Sequence, residues 1–240
     1  MPTMNNSIPV VLVHGAWHGA WCWAGLQHAL DELGVASLAV DLPGHGASTQ
    51  PLSDLYGDAH HVASVLAQLG TPAILVGHSY GGAAITEAAS HFGDVAHLAY
   101  LTAFALEQGE SIMSFLTSQP PAAVALSNAI VPWGTGSSVI DPLQAVASFY
   151  ADCPPAVATA AIARLSPQPM VTFTDGISGS PRSTIASTYV RCLRDAAIHI
   201  SHQDVMAARC DTVHTLDSDH SPFASHIGET AAIIRALATA

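Results

Sequence analysis

The sequence alternates short apolar runs with stretches of helical periodicity, and this alternation restricts the fold more than any other feature. Residues 9–13 form a continuous valine-rich run, which is typical of a strand buried on both faces of a parallel sheet. Residues 21–33 carry apolar side chains at helical spacing, and Gly34 is placed to end that helix. Residues 35–40 then form a second apolar run, so the three segments predict a βαβ unit.

The same alternation continues along most of the chain. It predicts further helices within residues 54–69, over residues 81–92, around residues 202–209 and at the C-terminus, and further strands at residues 73–76, 95–101, 188–192 and 212–216. We therefore expect an α/β protein with a mostly parallel six-stranded sheet and helices on both faces.

Between residues 104 and 182 the alternation stops, and proline, glycine, serine and short apolar stretches replace it. We predict that residues 1–103 and 183–240 form the core and that residues 104–182 are inserted as a cap, or lid. The cap contains aromatic side chains suited to covering a pocket. Phe104 and Trp133 are candidates for contact with a substrate, although core packing explains such residues equally well.

Length and composition limit the classes of function. A chain of 240 residues, of which 50% are hydrophobic and 10% charged, can bury one large core. Its net charge of -12, with only six basic residues, has the wrong sign for holding phosphates. We do not expect a nucleic-acid partner.

Nothing in the sequence predicts a membrane partner or an oxidising compartment. No apolar run approaches the roughly 20 residues that a membrane-spanning helix requires, and residues 1–8 lack the basic start of a signal peptide. The four cysteines form no CxxC pair, so we expect buried free thiols rather than disulfides or a zinc ribbon. We predict a cytoplasmic protein and leave a monomer and a homodimer open.

The motif Gly77-His78-Ser79-Tyr80-Gly81-Gly82 lies between a predicted strand and a predicted helix. In this context GxSxG predicts a nucleophile elbow, a strained turn that exposes a serine hydroxyl above the sheet. The small neighbours leave room for the turn, and the following helix begins with free N–H groups near the serine. We predict that Ser79 is a catalytic nucleophile.

A serine needs a base, and in this topology the acid and the histidine follow it on loops after late strands. Of the 14 histidines, His220 fits, because it lies between the last predicted strand and the last helix. Asp195 follows the preceding strand, so we predict that it holds the imidazole. Four other aspartates stay open as weaker alternatives: Asp204, Asp211, Asp217 and Asp219.

The His-Gly turn after the first strand, His14-Gly15-Ala16-Trp17, predicts a second N–H donor beside the elbow. We expect the backbone N–H groups of Ala16 and Tyr80 to form an oxyanion hole. The glycine-rich stretch at residues 41–48 predicts a turn rather than a phosphate loop, since no GK[ST] follows. No histidine pair has further ligands at metal spacing, so we predict neither a metal nor a cofactor.

These motifs together resemble a known family. The strand followed by HGAW, the GHSYGG elbow, YVRCLRD before the acid and the late SDHSPF are similar to the α/β-hydrolase superfamily, and within it to the methylesterase and hydroxynitrile lyase group. The likeness covers residues 9–113 and 189–240, while DLPGHGAS is similar to bacterial serine carboxylesterases. The resemblance implies an α/β-hydrolase fold, a triad of Ser79, Asp195 and His220, and oxyanion donors at Ala16 and Tyr80.

Within the group that this sequence resembles, two positions separate esterases from lyases. The cyanohydrin-cleaving members carry a threonine and a lysine where this sequence has Gly15 and Ser221. Gly15 is therefore a third candidate substrate contact, and the resemblance implies a serine carboxylesterase acting on small neutral esters. The alternatives are a hydroxynitrile lyase or perhydrolase with the same triad, or a ligand receptor on the same fold.

Overall fold

The strands form two separate sheets. A computed structural model describes residues 7–240, so the prediction for residues 1–8 falls almost entirely outside the described residues. The strands are β1 (Val10–Val13), β2 (Ser37–Val40), β3 (Ala73–Ser79), β4 (Val95–Ala103), β5 (Ile130–Trp133), β6 (Ser137–Ile140), β7 (Gln168–Pro169), β8 (Ser187–Cys192) and β9 (Thr212–Leu216).

The larger sheet has six strands in the order β2-β1-β3-β4-β8-β9, and every pairing in it is parallel. The predicted six-stranded sheet is therefore confirmed. Adjacent strands end at the same edge of such a sheet, and the loops that follow β1, β3, β8 and β9 meet there. The pairing of β3 with β4 shifts register between His78 and Ser79, at the point where β3 ends.

Helices cover both faces of this sheet. The helices of the described residues are α1 (Ala24–Glu32), α2 (Leu55–Leu69), α3 (Gly81–His91), α4 (Ile112–Ser118), α5 (Pro142–Phe149), α6 (Pro155–Ile162), α7 (Ile200–Ala207), α8 (Pro222–Ser225) and α9 (Ile227–Ala238), of which α4, α5 and α6 lie in the segment predicted as a cap. The predicted helix at residues 21–33 begins instead as a 3-10 turn, Ala20–Trp23, before α1.

Alternate residues of the buried strands supply two hydrophobic clusters. Val11 and Val13 of β1 belong to the cluster that contains α2 and α3, whereas Val10 and Leu12 belong to the cluster that contains α1 and α9. This is the two-residue period of a strand covered on both faces, and it explains why these strands are continuous apolar runs in the sequence.

The segment predicted as a cap contains the second sheet, in which β5, β6 and β7 pair antiparallel. It also contains α4, α5, α6 and two 3-10 turns, Ala125–Asn128 and Met170–Phe173. Its buried residues Phe115, Phe149 and Tyr150 belong to the same hydrophobic cluster as the large sheet. The division at residues 104 and 182 stays a prediction. In the described part of the chain, no helix has the length and apolar character to cross a membrane.

Candidate active site

Ser79 lies at the end of β3, in a sharp turn that leads directly into α3. Its φ of 53° is in the left-handed region, which costs a non-glycine residue on the order of 1–3 kcal/mol. Such strain persists only where the surrounding structure imposes it, and it is the feature that defines a nucleophile elbow. The side chain is 8% exposed and lines a cavity.

Two glycines allow the chain to make this turn. A Cβ on Gly77 would lie 2.5 Å from the carbonyl oxygen of Gly81, and a Cβ on Gly81 would lie 2.5 Å from the carbonyl oxygen of Val13. Both obstacles are backbone atoms, which cannot rotate away. Glycine at these positions therefore lets α3 begin directly against β1 and β3.

His220 and Asp195 form a buried pair. His220 follows β9 and Asp195 follows β8, and the imidazole Nδ1 lies 2.8 Å from the carboxylate Oδ2. The two side chains are 1% and 0% exposed. Since a carboxylate oxygen only accepts, Nδ1 carries the hydrogen, and Nε2 is left as the atom that can take a proton. The structure thus brings together the acid and base that the sequence predicts.

The Asp195 carboxylate is held from several directions. Its Oδ1 accepts the backbone N–H groups of Ala197 and Ile198 at 2.7 and 2.8 Å. Its Oδ2 accepts the hydroxyl of Thr102 and, at 3.3 Å, the side-chain amide of Gln203. Thr102 has a φ of 37°, a second strained backbone conformation beside the pair. These contacts fix the carboxylate against His220, and the sequence analysis missed both Thr102 and Gln203.

His78, within the elbow motif, supports the loop that carries His220. Its Nε2 donates to the carbonyl oxygen of His220 at 2.7 Å, and the two ring centroids are 4.5 Å apart. Burial, together with the neighbouring His220, lowers the pKa of His78 well below its usual value, so the ring is neutral at neutral pH. His78 is a positioning residue that the sequence analysis did not identify.

The predicted oxyanion donors lie on the wall of the cavity that Ser79 lines. Ala16 follows β1 and Tyr80 follows Ser79, and both residues are almost fully buried. Within residues 7–240, neither backbone N–H has a hydrogen-bond acceptor. Free N–H groups at the edge of a buried cavity are suited to stabilising a developing negative charge.

Two neutral histidines hold the backbone of the Ala16 loop. His14 donates from Nδ1 to the carbonyl of Gly15 at 2.8 Å, and His18 donates from Nδ1 to the carbonyl of Ala16 at 2.7 Å. The Nε2 of His18 accepts the hydroxyl of Tyr150 at 2.7 Å. Burial lowers the pKa of His18 to about 4, which keeps Nε2 available as an acceptor at neutral pH.

Tyr80 is anchored through its side chain to α2. Its hydroxyl donates to Oδ2 of Asp58 at 2.6 Å, and Asp58 is 1% exposed. The other carboxylate oxygen of Asp58 has no hydrogen-bond partner among the described residues. Burial raises the pKa of Asp58 to about 7, against the opposing effect of the Tyr80 hydroxyl.

The cavity at Ser79 has a volume of about 310 Å³ and mostly apolar walls. Its lining residues come from the loop after β1, from the elbow, from the segment between residues 104 and 173, and from the loop before α7. Lining side chains from the segment between residues 104 and 173 include Phe104, Met113, Leu126, Ser127, Met170 and Phe173. A cavity of this size and polarity suits a small neutral molecule.

Of the three predicted substrate contacts, Phe104 alone lines the cavity. Gly15 lies behind the nucleophile, where an added Cβ would come within 2.9 Å of both Ser79 and His78. The prediction for Trp133 does not hold, because this side chain is 57% exposed and does not line the cavity. Trp133 ends β5, next to a tight turn to β6, and that hairpin turns its aromatic ring towards solvent.

The other aspartates near His220 in the sequence have separate partners. Asp219 accepts the backbone N–H groups of Asp152 and Ser221 at 2.9 and 3.0 Å, which ties its loop to the end of α5. Asp217 is exposed and pairs with Arg194. Neither carboxylate contacts the imidazole, whereas that of Asp195 does.

The remaining glycine-rich segment forms the expected turn. Asp41 accepts the backbone N–H groups of Ala20 and Ala47 at 2.6 and 2.9 Å, which fixes the loop after β2 against the 3-10 turn. Across the described part of the chain, no three histidine, cysteine or acidic side chains are grouped so that they could hold a metal ion.

Comparison with known proteins places the chain in a family. A model of the alpha/beta hydrolase family matches residues 10–233. The pFDCC methylesterase MES16 of Arabidopsis thaliana is 30% identical over 91% of this chain and 89% of its own length, and Methylesterase 18 of the same plant is 31% identical over 90% and 91%.

A solved structure agrees with these sequence matches. The crystal structure of a pyrethroid hydrolase from Sphingobium faniae JZ-2 superimposes with a TM-score of 0.85 at 26% identity, covering 97% of this chain and 98% of that one. The elbow after β3, the parallel sheet and these matches agree, and the chain belongs to the methylesterase group of the alpha/beta hydrolase family.

Proposed function

We propose that the chain is a serine carboxylesterase that hydrolyses small neutral carboxylic esters through an acyl-enzyme on Ser79. One observation carries the proposal: the buried His220–Asp195 pair lies at the same edge of the sheet as the strained elbow of Ser79. A weak hydroxyl nucleophile, a base whose tautomer is fixed and a pair of free N–H donors are the requirements of acyl transfer.

In the first half of the reaction, Ser79 Oγ attacks the ester carbonyl while His220 Nε2 takes the hydroxyl proton. The carbonyl oxygen becomes an oxyanion that the N–H groups of Ala16 and Tyr80 stabilise. Collapse of this intermediate breaks the bond to the alcohol, which leaves with the proton from His220. Asp195 stabilises the imidazolium throughout and stays ionised.

In the second half, water takes the place of the alcohol. His220 removes a proton from the water, the hydroxide attacks the acyl-enzyme carbonyl, and the proton passes to Ser79 Oγ as the carboxylic acid leaves. The same oxyanion donors serve both steps. The net reaction consumes one ester and one water and releases one acid and one alcohol.

Apolar walls support neutral esters as the substrate class. No arginine lies among the residues that line the cavity at Ser79, and the sequence contains no lysine at all. The named relatives fit this class, since they are methylesterases and a pyrethroid hydrolase.

Ester hydrolysis is favoured over cyanohydrin cleavage as the reaction of this site. The threonine that the resemblance assigns to lyases has no room at Gly15, where a Cβ would already come within 2.9 Å of Ser79. The lysine position is Ser221, whose hydroxyl is buried without a partner among the described residues. No ammonium is therefore available to stabilise a departing cyanide.

The direct test is turnover of 4-nitrophenyl acetate by Ser79→Ala. We expect kcat to fall by about a million-fold while the melting temperature is retained, because the hydroxyl supplies the bond-forming atom. Ser127→Ala is the matched control, since this serine lines the same cavity but lies away from the elbow. Comparable activity in folded Ser79→Ala and Ser127→Ala proteins would remove Ser79 from its role.

The proposed esterase is a cytoplasmic protein. It is either a monomer or a homodimer. The four cysteines support the location, since all are free in the structure and none is paired for a disulfide. Fractionation and light scattering of the purified protein test these two points.

A further inference from the structure

A second cavity, of about 460 Å³, lies away from Ser79. The 3-10 turn Ala20–Trp23 and the start of α1 form one side, α6 forms another, and the two C-terminal helices close it. It shares no lining residue with the cavity at Ser79. Its volume is in the range of small-molecule sites, and the proposed reaction makes no use of it.

The walls of this second cavity are apolar. Val157 and Ala160 of α6 lie on one side, and Phe223 and Ile227 of the C-terminal helices lie on another. Cys22 adds a thiol, but burial raises its pKa well above the usual value, so it stays neutral. A ligand body of aliphatic or aromatic carbon would match these walls.

One charged side chain lies among these apolar walls. The guanidinium carbon of Arg164 lies over the ring of Trp21, 4.9 Å from its centroid, which is a cation–π contact. Within residues 7–240 it has no ion pair and no hydrogen-bond acceptor, although the chain carries an excess of twelve negative charges. By contrast, four of the other five arginines are paired with carboxylates: Arg182, Arg191, Arg194 and Arg209.

A guanidinium is planar and presents its N–H groups as a fork, which is the arrangement that binds a carboxylate through two hydrogen bonds. The apolar walls and the unpaired cation together describe a ligand with an apolar body and one carboxylate. Neutral alcohols and esters would leave Arg164 without an ion pair. A compact inorganic anion would make no contact with the apolar walls.

The second cavity is also connected to the catalytic loop. Tyr150 lines it, and the Tyr150 hydroxyl is the donor to His18, which holds the carbonyl of Ala16. A ligand packed against Tyr150 therefore contacts the first member of a chain of hydrogen bonds that ends at a proposed oxyanion donor.

We propose that this cavity is a second binding site, for an amphipathic monocarboxylate whose acid group pairs with Arg164 and whose apolar body packs between α6 and the C-terminal helices. The acid released by the proposed ester hydrolysis is a molecule of this class, and only that link rests on the proposed function. Binding itself requires no turnover.

The test is calorimetric titration of the Ser79→Ala protein with sodium octanoate, with octan-1-ol as the neutral comparison. We expect octanoate to bind, octan-1-ol to bind at least ten-fold more weakly, and Arg164→Gln to weaken octanoate binding by about ten-fold. Arg235→Gln is the matched control, because Arg235 is the other arginine without an ion pair among the described residues and lies outside the cavity.

Two filling variants locate the bound octanoate. Ala160→Trp fills the second cavity from an exposed helix position, and Met113→Trp fills the cavity at Ser79 from another exposed position. Loss of binding in Ala160→Trp and its retention in Met113→Trp supports the proposal. The reverse pattern, equal binding of acid and alcohol, or no effect of Arg164→Gln overturns it. Because Ser79 is absent throughout, failure here leaves the esterase proposal intact.

Discussion

Asp195 and Asp219 both lie close to His220, but their carboxylates accept hydrogen bonds from different groups. Asp195 accepts from the imidazole, whereas Asp219 accepts from backbone N–H groups of its own loop and of Asp152. An asparagine at position 195 would keep the backbone contacts with its oxygen and present an NH₂ to Nδ1. That arrangement stabilises the tautomer in which Nε2 carries the hydrogen and cannot accept a proton.

We therefore expect Asp195→Asn to lower kcat for an aryl ester by about ten-thousand-fold with a nearly unchanged melting temperature. Asp219→Asn should lower the melting temperature by several degrees, the shift expected for about 1 kcal/mol in a chain of this size, and change kcat much less. Steady-state kinetics and thermal unfolding of both variants give the comparison. A larger loss of kcat in Asp219→Asn would transfer the role to that residue.

The proposed triad can be predicted from the sequence because its members lie at the ends of strands whose order along the chain is known. Ser79 ends β3, and Asp195 and His220 lie three and four residues after the ends of β8 and β9, all strands that apolar runs reveal. Thr102 and Gln203 could not be found in this way. Thr102 lies 93 residues from Asp195 in the chain, and nothing in its local sequence indicates a contact that only the pairing of β4 with β8 creates.

Asp58 is a buried carboxyl whose charge state changes near neutral pH. Its pKa is raised from an ordinary value near 3.8 to about 7 by burial, so the folded chain keeps a proton that the unfolded chain releases. The raised pKa of Asp58 therefore lowers the free energy of unfolding. This loss is absent below about pH 4, grows as the pH rises and reaches its full size above about pH 7. A shift of this size corresponds to about 4 kcal/mol as an upper value.

Asp58→Asn has no proton to lose, so this part of the pH dependence should vanish. We expect its free energy of unfolding, relative to that of the unmodified protein, to rise by a few kcal/mol between pH 4.5 and pH 8. Urea denaturation at several pH values measures this difference. Asp31→Asn, at an exposed position of α1, is the control. Parallel pH curves for Asp58→Asn and the unmodified protein would refute the assignment.

At the scale of elements, we expect substrate range to depend on which parts of the segment between residues 104 and 182 reach the cavity. The 3-10 turn Ala125–Asn128 reaches it through Leu126, whereas the hairpin of β5 and β6 turns Trp133 into solvent. We expect Leu126→Ala to change the ratio of kcat/KM between a bulky and a small 4-nitrophenyl ester by about ten-fold, because it removes contacts with the larger acyl group alone.

Trp133→Ala is the matched control for this prediction, since it removes a larger side chain from the same segment, residues 104–182, at a position that does not line the cavity. Its ratio for the two esters should equal that of the unmodified protein. A common slowing of all esters in Leu126→Ala would mean that the turn only supports the fold. A changed ratio of kcat/KM values in Trp133→Ala would show that the hairpin of β5 and β6 contacts the substrate.

The elements of the large sheet were predictable, and those between residues 104 and 182 were not. Strands buried on both faces are continuous apolar runs, so β1 and β3 are visible in the sequence. The second sheet is built from strands of two to four residues, and β5 includes Pro132 and is exposed throughout. Pro132 argues against a strand in the sequence, and the pairing of these strands depends on contacts between distant parts of residues 104–182.

At the scale of the whole molecule, the net charge of -12 acts on every approaching substrate. A repulsive field reaches about 30 Å from the surface at 0.01 M salt but only about 8 Å at 0.15 M. No arginine in the wall of the cavity at Ser79 offsets this field locally. An ester that carries a free carboxylate should therefore approach the site more slowly than a neutral ester of similar size, and the difference should shrink as salt is added.

The measurement compares 4-nitrophenyl butyrate with the 4-nitrophenyl monoester of succinic acid, which adds one carboxylate to a chain of similar length. Raising the ionic strength from 0.01 to 0.15 M should increase kcat/KM for the succinate ester by about three-fold or more and leave the butyrate value nearly unchanged. Equal salt responses would show that the charges are too far from the approach path to act on the substrate. A succinate ester that is faster at low salt would reveal a local cation, and Arg164→Gln would then show whether the guanidinium beside the second cavity is its source.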